Sequence, residues 1–217
     1  MKKLTEFEAK KILKKYGIPV TKEVLAKTPN EAAKLAKKIG YPVAMKIQSP
    51  DMLHKTDVGG VVLDVKNDKE VLEAYDRIIK NAKKHDSKAK ILGIVVQEML
   101  DINERKCIIG SNKDPQFGPV IMFGLGGIFV EVLKDVSFRI IPIERKDAKE
   151  MISEIKTYEI LKGVRGQKPI NFKALEDTLL KVSKMVWKEK NLDELDINPL
   201  FVGEWGVKAA DARMIFK

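Results

Sequence analysis

Two stretches of this chain alternate apolar and polar side chains with a period of two, the signature of a β-strand with two different faces. In Val43-Ala44-Met45-Lys46-Ile47-Gln48, the residues Val43, Met45 and Ile47 share one face, and Ala44, Lys46 and Gln48 share the other. In Glu194-Leu195-Asp196-Ile197-Asn198, the polar residues at 194, 196 and 198 alternate with Leu195 and Ile197. Helix starts are marked by capping chemistry. Thr5 with Glu8 opens a helix that runs to Tyr16 and stops at Gly17. Thr28-Pro29-Asn30-Glu31 opens a second, closed by Gly40, and Asn67 with Glu70 caps a third that reaches about Lys84. Further helices are predicted near Lys146 to Ile155 and from Asn171 to about Lys190.

Between them, strands are predicted over 18–26, 41–48, 60–65, 91–99, 106–110, 119–123 and 136–143, with a polar loop over 49–57. A terminal hairpin is expected from 195–202 and 207–214, turning in Gly203-Glu204-Trp205-Gly206. Gly124-Leu125-Gly126-Gly127 lacks the spacing of a dinucleotide loop, and the following Ile128-Phe129-Val130-Glu131-Val132 reads as another strand. Strands and helices mix without regular βα alternation, which predicts an α+β fold. A lobe boundary is expected within 100–104, giving lobes 21–102 and 103–217, with the helical segment 1–20 packed on the second.

Composition narrows the class. Of 217 residues, 44% are hydrophobic and 33% charged, which suits a globular core and excludes a disordered chain. The apolar runs are too short to span a bilayer, the amino terminus shows no signal-peptide core, and Cys107 is the sole cysteine. These predict a cytoplasmic protein without membrane attachment. The net charge of +10 raises the alternative of a basic nucleic-acid-binding module. The excess is nearly all lysine, placed on helix exteriors as at Lys10, Lys11, Lys14 and Lys15, and aromatic residues make up only 6%. A solvated surface that attracts anionic nucleotides is the preferred reading, with no nucleic-acid partner.

The candidate chemistry is sparse and specific. A lysine in mid-strand, Lys46, must reach water or an anion; it is either an edge-strand lysine turned outward or a phosphate ligand. The glycines at 59 and 60 follow a polar loop and let backbone N–H groups approach phosphate oxygens. His54 lies in that loop beside Lys55 and Asp57, where an imidazole can serve as nucleophile, whereas His85 ends a lysine-rich helix. If the terminal turn is symmetric, Asn198 faces Asp211, and Asp196, Asn198 and Asp211 converge as oxygen donors suited to Mg²⁺.

Together these segments resemble the ATP-grasp family, and within it the β subunits of ADP-forming acyl-CoA synthetases, relatives of succinyl-CoA synthetase. The resemblance is carried by Pro42 to Ile47, Ser49 to Gly60, Val96 to Leu100, Asp114 to Pro119, Met122 to Gly127 and Val130 to Arg139. Asp196-Ile197-Asn198-Pro199 and Asp211-Ala212-Arg213 complete it, and it covers nearly the whole chain. It implies two α+β lobes clasping ATP or ADP. Lys46 then contacts the α- and β-phosphates, Gly59 and Gly60 form a mobile loop over them, and Glu98 with the backbone through Leu100 recognises adenine and ribose. Asp196, Asn198 and Asp211 hold Mg²⁺, Arg139 lies near the transferred phosphoryl group, and His54 relays phosphate from a partner. Relatives carry a glutamate where this chain has Lys106, so Glu104 is the candidate for its ribose contact. The implied reaction takes acyl-CoA and phosphate through an acyl phosphate and a phosphohistidine to ATP. No segment here resembles a CoA-binding Rossmann domain, so a CoA-binding α subunit with a phosphorylated histidine is the expected partner, in an α2β2 hetero-oligomer. The alternative within the family is the subunit of another acid–CoA ligase, such as succinyl-CoA synthetase β.

Overall fold

The computed structural model describes residues 1–217 except Leu53, His54, Ile102 and Arg165, and except the side chains of Ile128 and Glu131. The chain forms two compact units, one of Met1–Val20 with Ile102–Lys217 and one of Thr21–Asp101. It opens in the larger unit with strand β1 (Lys2–Lys3) and helix α1 (Glu6–Lys15). The capping box forms as predicted: the Thr5 N–H donates to Glu8 Oε2 at 2.9 Å, and the Thr5 hydroxyl accepts from the Glu8 N–H.

The smaller unit comprises β2 (Glu23–Ala26), α2 (Pro29–Ile39), β3 (Val43–Gln48), β4 (Val61–Val65), α3 (Asp68–His85) and β5 (Gly93–Glu98). Its strands form an antiparallel sheet in the order β2-β5-β3-β4. Val43, Met45 and Ile47 of β3, with Ile94 and Val96 of β5, pack against Ala32, Ala36, Val71, Ala74 and Ile78 of the two helices. Each of the larger aliphatic side chains fully buried there contributes about 1.5–3 kcal/mol, so the period-two pattern fixes which face of β3 turns inward. The predicted strand over 18–26 shortens to β2 because the chain passes between units within it. Val20 bridges to Ala209 in the larger unit, while Glu23 begins pairing with Gln97 in the smaller.

The larger unit continues with β6 (Arg105–Asp114), β7 (Gly118–Leu125), α4 (Ile128–Glu131), β8 (Val136–Ile140), α5 (Arg145–Glu154), α6 (Tyr158–Lys162) and α7 (Phe172–Lys188). It ends in β9 (Leu192–Gly203), β10 (Gly206–Ala209) and β11 (Ala212–Phe216). The sheet order is β1-β11-β9-β6-β7-β8, with β10 also on β9, and every ladder is antiparallel. Helices α1, α5 and α7 contribute Ala9, Leu13, Ala148, Met151, Leu175, Leu179 and Val182 to a core against one face of this sheet. Segregation of helices onto antiparallel sheets is the α+β architecture expected from the sequence.

Two expectations are corrected. The segment Ile128 to Val132 is not a strand: the turn at Gly127, with φ +68°, leads into α4, where the Val130 N–H donates to Gly127 O at 3.0 Å. Lys10 is not on a helix exterior. It is fully buried, donating to Ala210 O at 3.0 Å and lying 3.6 Å from the Glu6 carboxylate. Among the described residues, no helix is long and apolar enough to cross a membrane.

Candidate functional site

The face of the larger sheet away from its helix-packed core carries the terminal polar cluster. Gly206 pairs with Gly203, Ala209 with Leu200, and Ala212 with Ile197, so one register runs through β10 and β11. Between those strands the ladder opens at Ala210 and Asp211, yet the register holds: the Asn198 N–H donates to Asp211 O at 3.3 Å. A shift in the pairing of β9 with β6, between Cys107 and Ile109, accommodates Asn198 and Pro199. It keeps Ile197 buried before the irregularity and Leu200 buried after it, while Asn198 stays exposed. Asp196 and Asn198 therefore lie on one face, with Asp211 across from Asn198.

Asp196 sits in a cross-strand row with Arg213, Gly110, Met122 and Phe138. Burial pushes its carboxyl pKa up, and the Arg213 guanidinium opposes that shift. The Asp196 carboxylate accepts no hydrogen bond from any described residue, so its lone pairs are available to a ligand. Among the described residues, no three of His, Cys, Asp and Glu form a metal-holding group. The donor set here is two carboxylates and the amide oxygen of Asn198, all hard oxygen donors that fit Mg²⁺ with phosphate and water completing its shell.

In the smaller unit, Lys46 projects from β3, which lies between β5 and β4, so the edge-strand alternative is excluded. Lys46 is half-buried on the face opposite the helices, opposite Val95, while Ala44 on that face lies opposite Gln97. The glycines form a tightly packed turn. The Gly59 N–H donates to Thr56 O at 3.0 Å and the Gly60 N–H to Lys55 O at 2.7 Å, so both amides are engaged within the loop. Gly59 has φ +64°, and a Cβ on Gly60 would lie 2.6 Å from Ile47 Cγ2. Glu98 Oε1 accepts from the Lys22 N–H at 2.7 Å, and Leu100 is half-buried beyond the strand end. His54 lies outside the described residues.

Two candidates are engaged by other side chains of their own unit. Arg139 belongs to a different cross-strand row, with Ile121, Ser111, Leu195 and Met214, which is the core face of the sheet. Its guanidinium grips α5, donating to Glu154 Oε2 at 2.9 Å and lying 3.4 Å from Glu150, so the structure does not bring it to the face of Asp196. Glu104 precedes β6, and its Oε1 accepts from Trp205 Nε1 at 2.8 Å. Lys106 instead places its ammonium 5.5 Å from the Phe201 ring centroid.

Sequence reasoning missed Asp135, a buried carboxylate in the segment before β8. Burial alone would raise its pKa, but hydrogen bonds from the Thr157 hydroxyl (2.6 Å) and the N–H groups of Lys156 (2.7 Å) and Thr157 (2.8 Å) outweigh it and lower the pKa. It anchors the turn into α6. The acidic residue between Lys134 and a β-rich run gave no periodic signal of that role.

The chain thus presents two α+β units built on antiparallel sheets, one with a mid-strand lysine and one with an acid-amide-acid cluster on its open face. The model of the ATP-grasp domain matches residues 1–216, and the chain belongs to that family. It is 51% identical over 212 residues to the β subunit of ADP-forming acetate–CoA ligase I of Pyrococcus furiosus, covering 98% of this chain and 91% of that one. It is 53% identical over 218 residues to the β subunit of ligase II of the same organism, covering 99% and 92%. A structure of the dinucleotide-forming acetyl-coenzyme A synthetase 1 of Ca. Korarchaeum cryptofilum, with coenzyme A and Ca-AMPCP, superposes with a TM-score of 0.96 at 44% identity, covering 100% of this chain and 94% of that chain.

Proposed function

We propose that this chain is the nucleotide-handling subunit of an ADP-forming acetyl- or acyl-CoA synthetase, converting ADP to ATP at the expense of a phosphohistidine. The overall reaction is acyl-CoA, ADP and phosphate to acid, CoA and ATP, reversibly. In the step assigned here, the P–N bond of phosphohistidine breaks and its electron pair stays on the imidazole nitrogen, which takes up a proton. An oxygen of the ADP β-phosphate forms the new P–O bond. No oxidant or reductant is needed.

Lys46 supplies a fixed ammonium to the nucleotide phosphates, and Asp196, Asn198 and Asp211 hold Mg²⁺. The ion, when bound, neutralises charge on the phosphate oxygens. The chain's own residues orient the polyphosphate and gather positive charge where negative charge develops. Glu98 and the backbone to Leu100 recognise the adenosine end, and His54 carries phosphate from the partner. A CoA-binding subunit with its own phosphohistidine completes the enzyme, as an α2β2 assembly. A related Korarchaeum structure, with Mg-AMPPCP and a phosphohistidine segment pointing towards the nucleotide site, supports a magnesium nucleotide and a phosphohistidine meeting at such a site.

The observation that carries this reading is the unbroken register that sets Asn198 against Asp211 on the face shared with Asp196. The test is reconstitution with the coexpressed partner, followed by ATP formation from ADP, phosphate and acetyl-CoA. Formation of ATP that depends on both subunits and on Mg²⁺ is expected; reconstituted complex without it defeats the reading.

A further inference from the structure

A phosphoryl group in flight carries charge on three oxygens, and a guanidinium is the side chain whose planar fork of N–H donors suits them. The chain has six arginines, and the structure distinguishes those it describes. Arg105 donates to Ile160 O at 3.2 Å and to Lys168 O at 2.7 Å. Arg145 is paired with Glu176 and Asp177. Arg139 is held by α5 on the core face of its sheet. Arg77 lies on α3, which packs on the face of the smaller sheet opposite Lys46.

Arg213 is different. It is exposed, and beyond its charge interaction with the Asp196 carboxylate it makes no hydrogen bond or close ion pair with any described residue. It stands opposite Asp196 in the pairing of β11 with β9 and follows Asp211 by two residues, so all three share the open face. Residues two apart on a strand are separated by about 6.8 Å, which a guanidinium on a three-carbon stem spans. A group bound through Asp211 is within its reach.

We propose that Arg213, rather than Arg139, is the guanidinium that contacts the phosphoryl group as it passes between phosphohistidine and ADP. This rests on the reading that Asp211 and Asn198 hold the nucleotide's metal. Each N–H of the fork donates to an equatorial oxygen of the transferred group, strengthening as charge spreads onto those oxygens. The contact is made to the group in transit and not to the phosphates of ADP, so it acts on turnover more than on ADP affinity.

The experiment uses the reconstituted two-subunit enzyme with Arg213→Gln, Arg213→Lys and, separately, Asp211→Ala. For Arg213→Gln, kcat for ATP formation falls about 100-fold, while the Kd for Mg-ADP stays within about threefold and the melting temperature is unchanged. Arg213→Lys recovers part of the rate. A kcat for Arg213→Gln within threefold of the unmodified enzyme overturns the proposal, as does a loss of Mg-ADP affinity equal to the loss of rate. The metal reading is judged apart: if Asp211→Ala binds Mg-ADP as tightly as the unmodified chain, that reading falls whatever Arg213 does.

Discussion

Asp211 and Asn198 face each other across a break in a ladder, where neither backbone is fully committed to strand pairing. Replacing Asp211 with Ala removes a carboxylate from this set and leaves the flanking strands intact. Affinity for Mg-ADP is expected to drop by at least about 10–100-fold, the scale on which loss of even an outer-shell partner damages a metal site, while affinity for metal-free ADP changes little. Titration calorimetry with and without Mg²⁺ separates the two, and equal losses count against metal ligation. Lys46 gives the complementary result. In the proposed role its ammonium would make charge-assisted contacts to the phosphates worth about 1.5–3 kcal/mol, so Lys46→Met is expected to weaken ADP binding with or without the metal. The strand placement of these candidates was legible because each breaks an apolar pattern: Lys46 interrupts a strand, and Asp196 and Asn198 alternate with Leu195 and Ile197. Lys10 was not legible. Its burial depends on Ala210 O, 200 residues away, and on Glu6 one turn earlier, and neither alters the helical period.

Elements with strong local signals formed where the sequence placed them. The caps at Thr5, Thr28 and Asn67 each accept from the backbone N–H three residues on, and the Gly203–Gly206 turn set the register of β9 with β10 and β11. Short elements escaped notice for a physical reason: α4 has four residues and α6 five, too few to display a 3.6-residue period. In 128–132 the β-branched and aromatic side chains pointed to a strand, but the left-handed turn at Gly127 and the capture of Phe129 O by the Asp135 N–H won. The glycine loop was read for mobility, and its packing argues for rigidity at one position. Gly60→Ala puts a methyl 2.6 Å from Ile47 Cγ2 and 2.9 Å from Lys55 O, and overpacking of this kind costs about 1–3 kcal/mol. Thermal unfolding should register that loss directly; an unchanged midpoint would mean the loop yields without cost. Asp135→Ala tests the other anchor. It orphans three donors beside α6, where an unsatisfied buried group costs about 1–3 kcal/mol, and Asp135→Asn should recover part of the loss because its amide oxygen still accepts.

Across the whole molecule, the proposed reaction places one demand on the chain: a dianionic group has to arrive from the proposed partner subunit. The net charge of +10 favours approach of nucleotide and phosphate, but a diffuse lysine surface cannot select a covalent carrier. An imidazole can. Its nitrogen is neutral and nucleophilic near physiological pH, and a phosphate bound to it remains transferable to a better acceptor. His85 is exposed at the end of α3, while in sequence His54 falls between Lys46 and the glycines, so the proposed relay falls to His54. In the assembled enzyme, His54→Ala should bind Mg-ADP as the unmodified chain does, yet leave the partner's phosphohistidine stranded. Incubating that complex with acetyl-CoA and labelled phosphate should then label the partner subunit and yield no labelled ATP. His85→Ala should pass label to ATP normally. Labelled ATP at near-normal rate from the His54 variant would show that phosphate reaches ADP straight from the partner, with no relay on this chain.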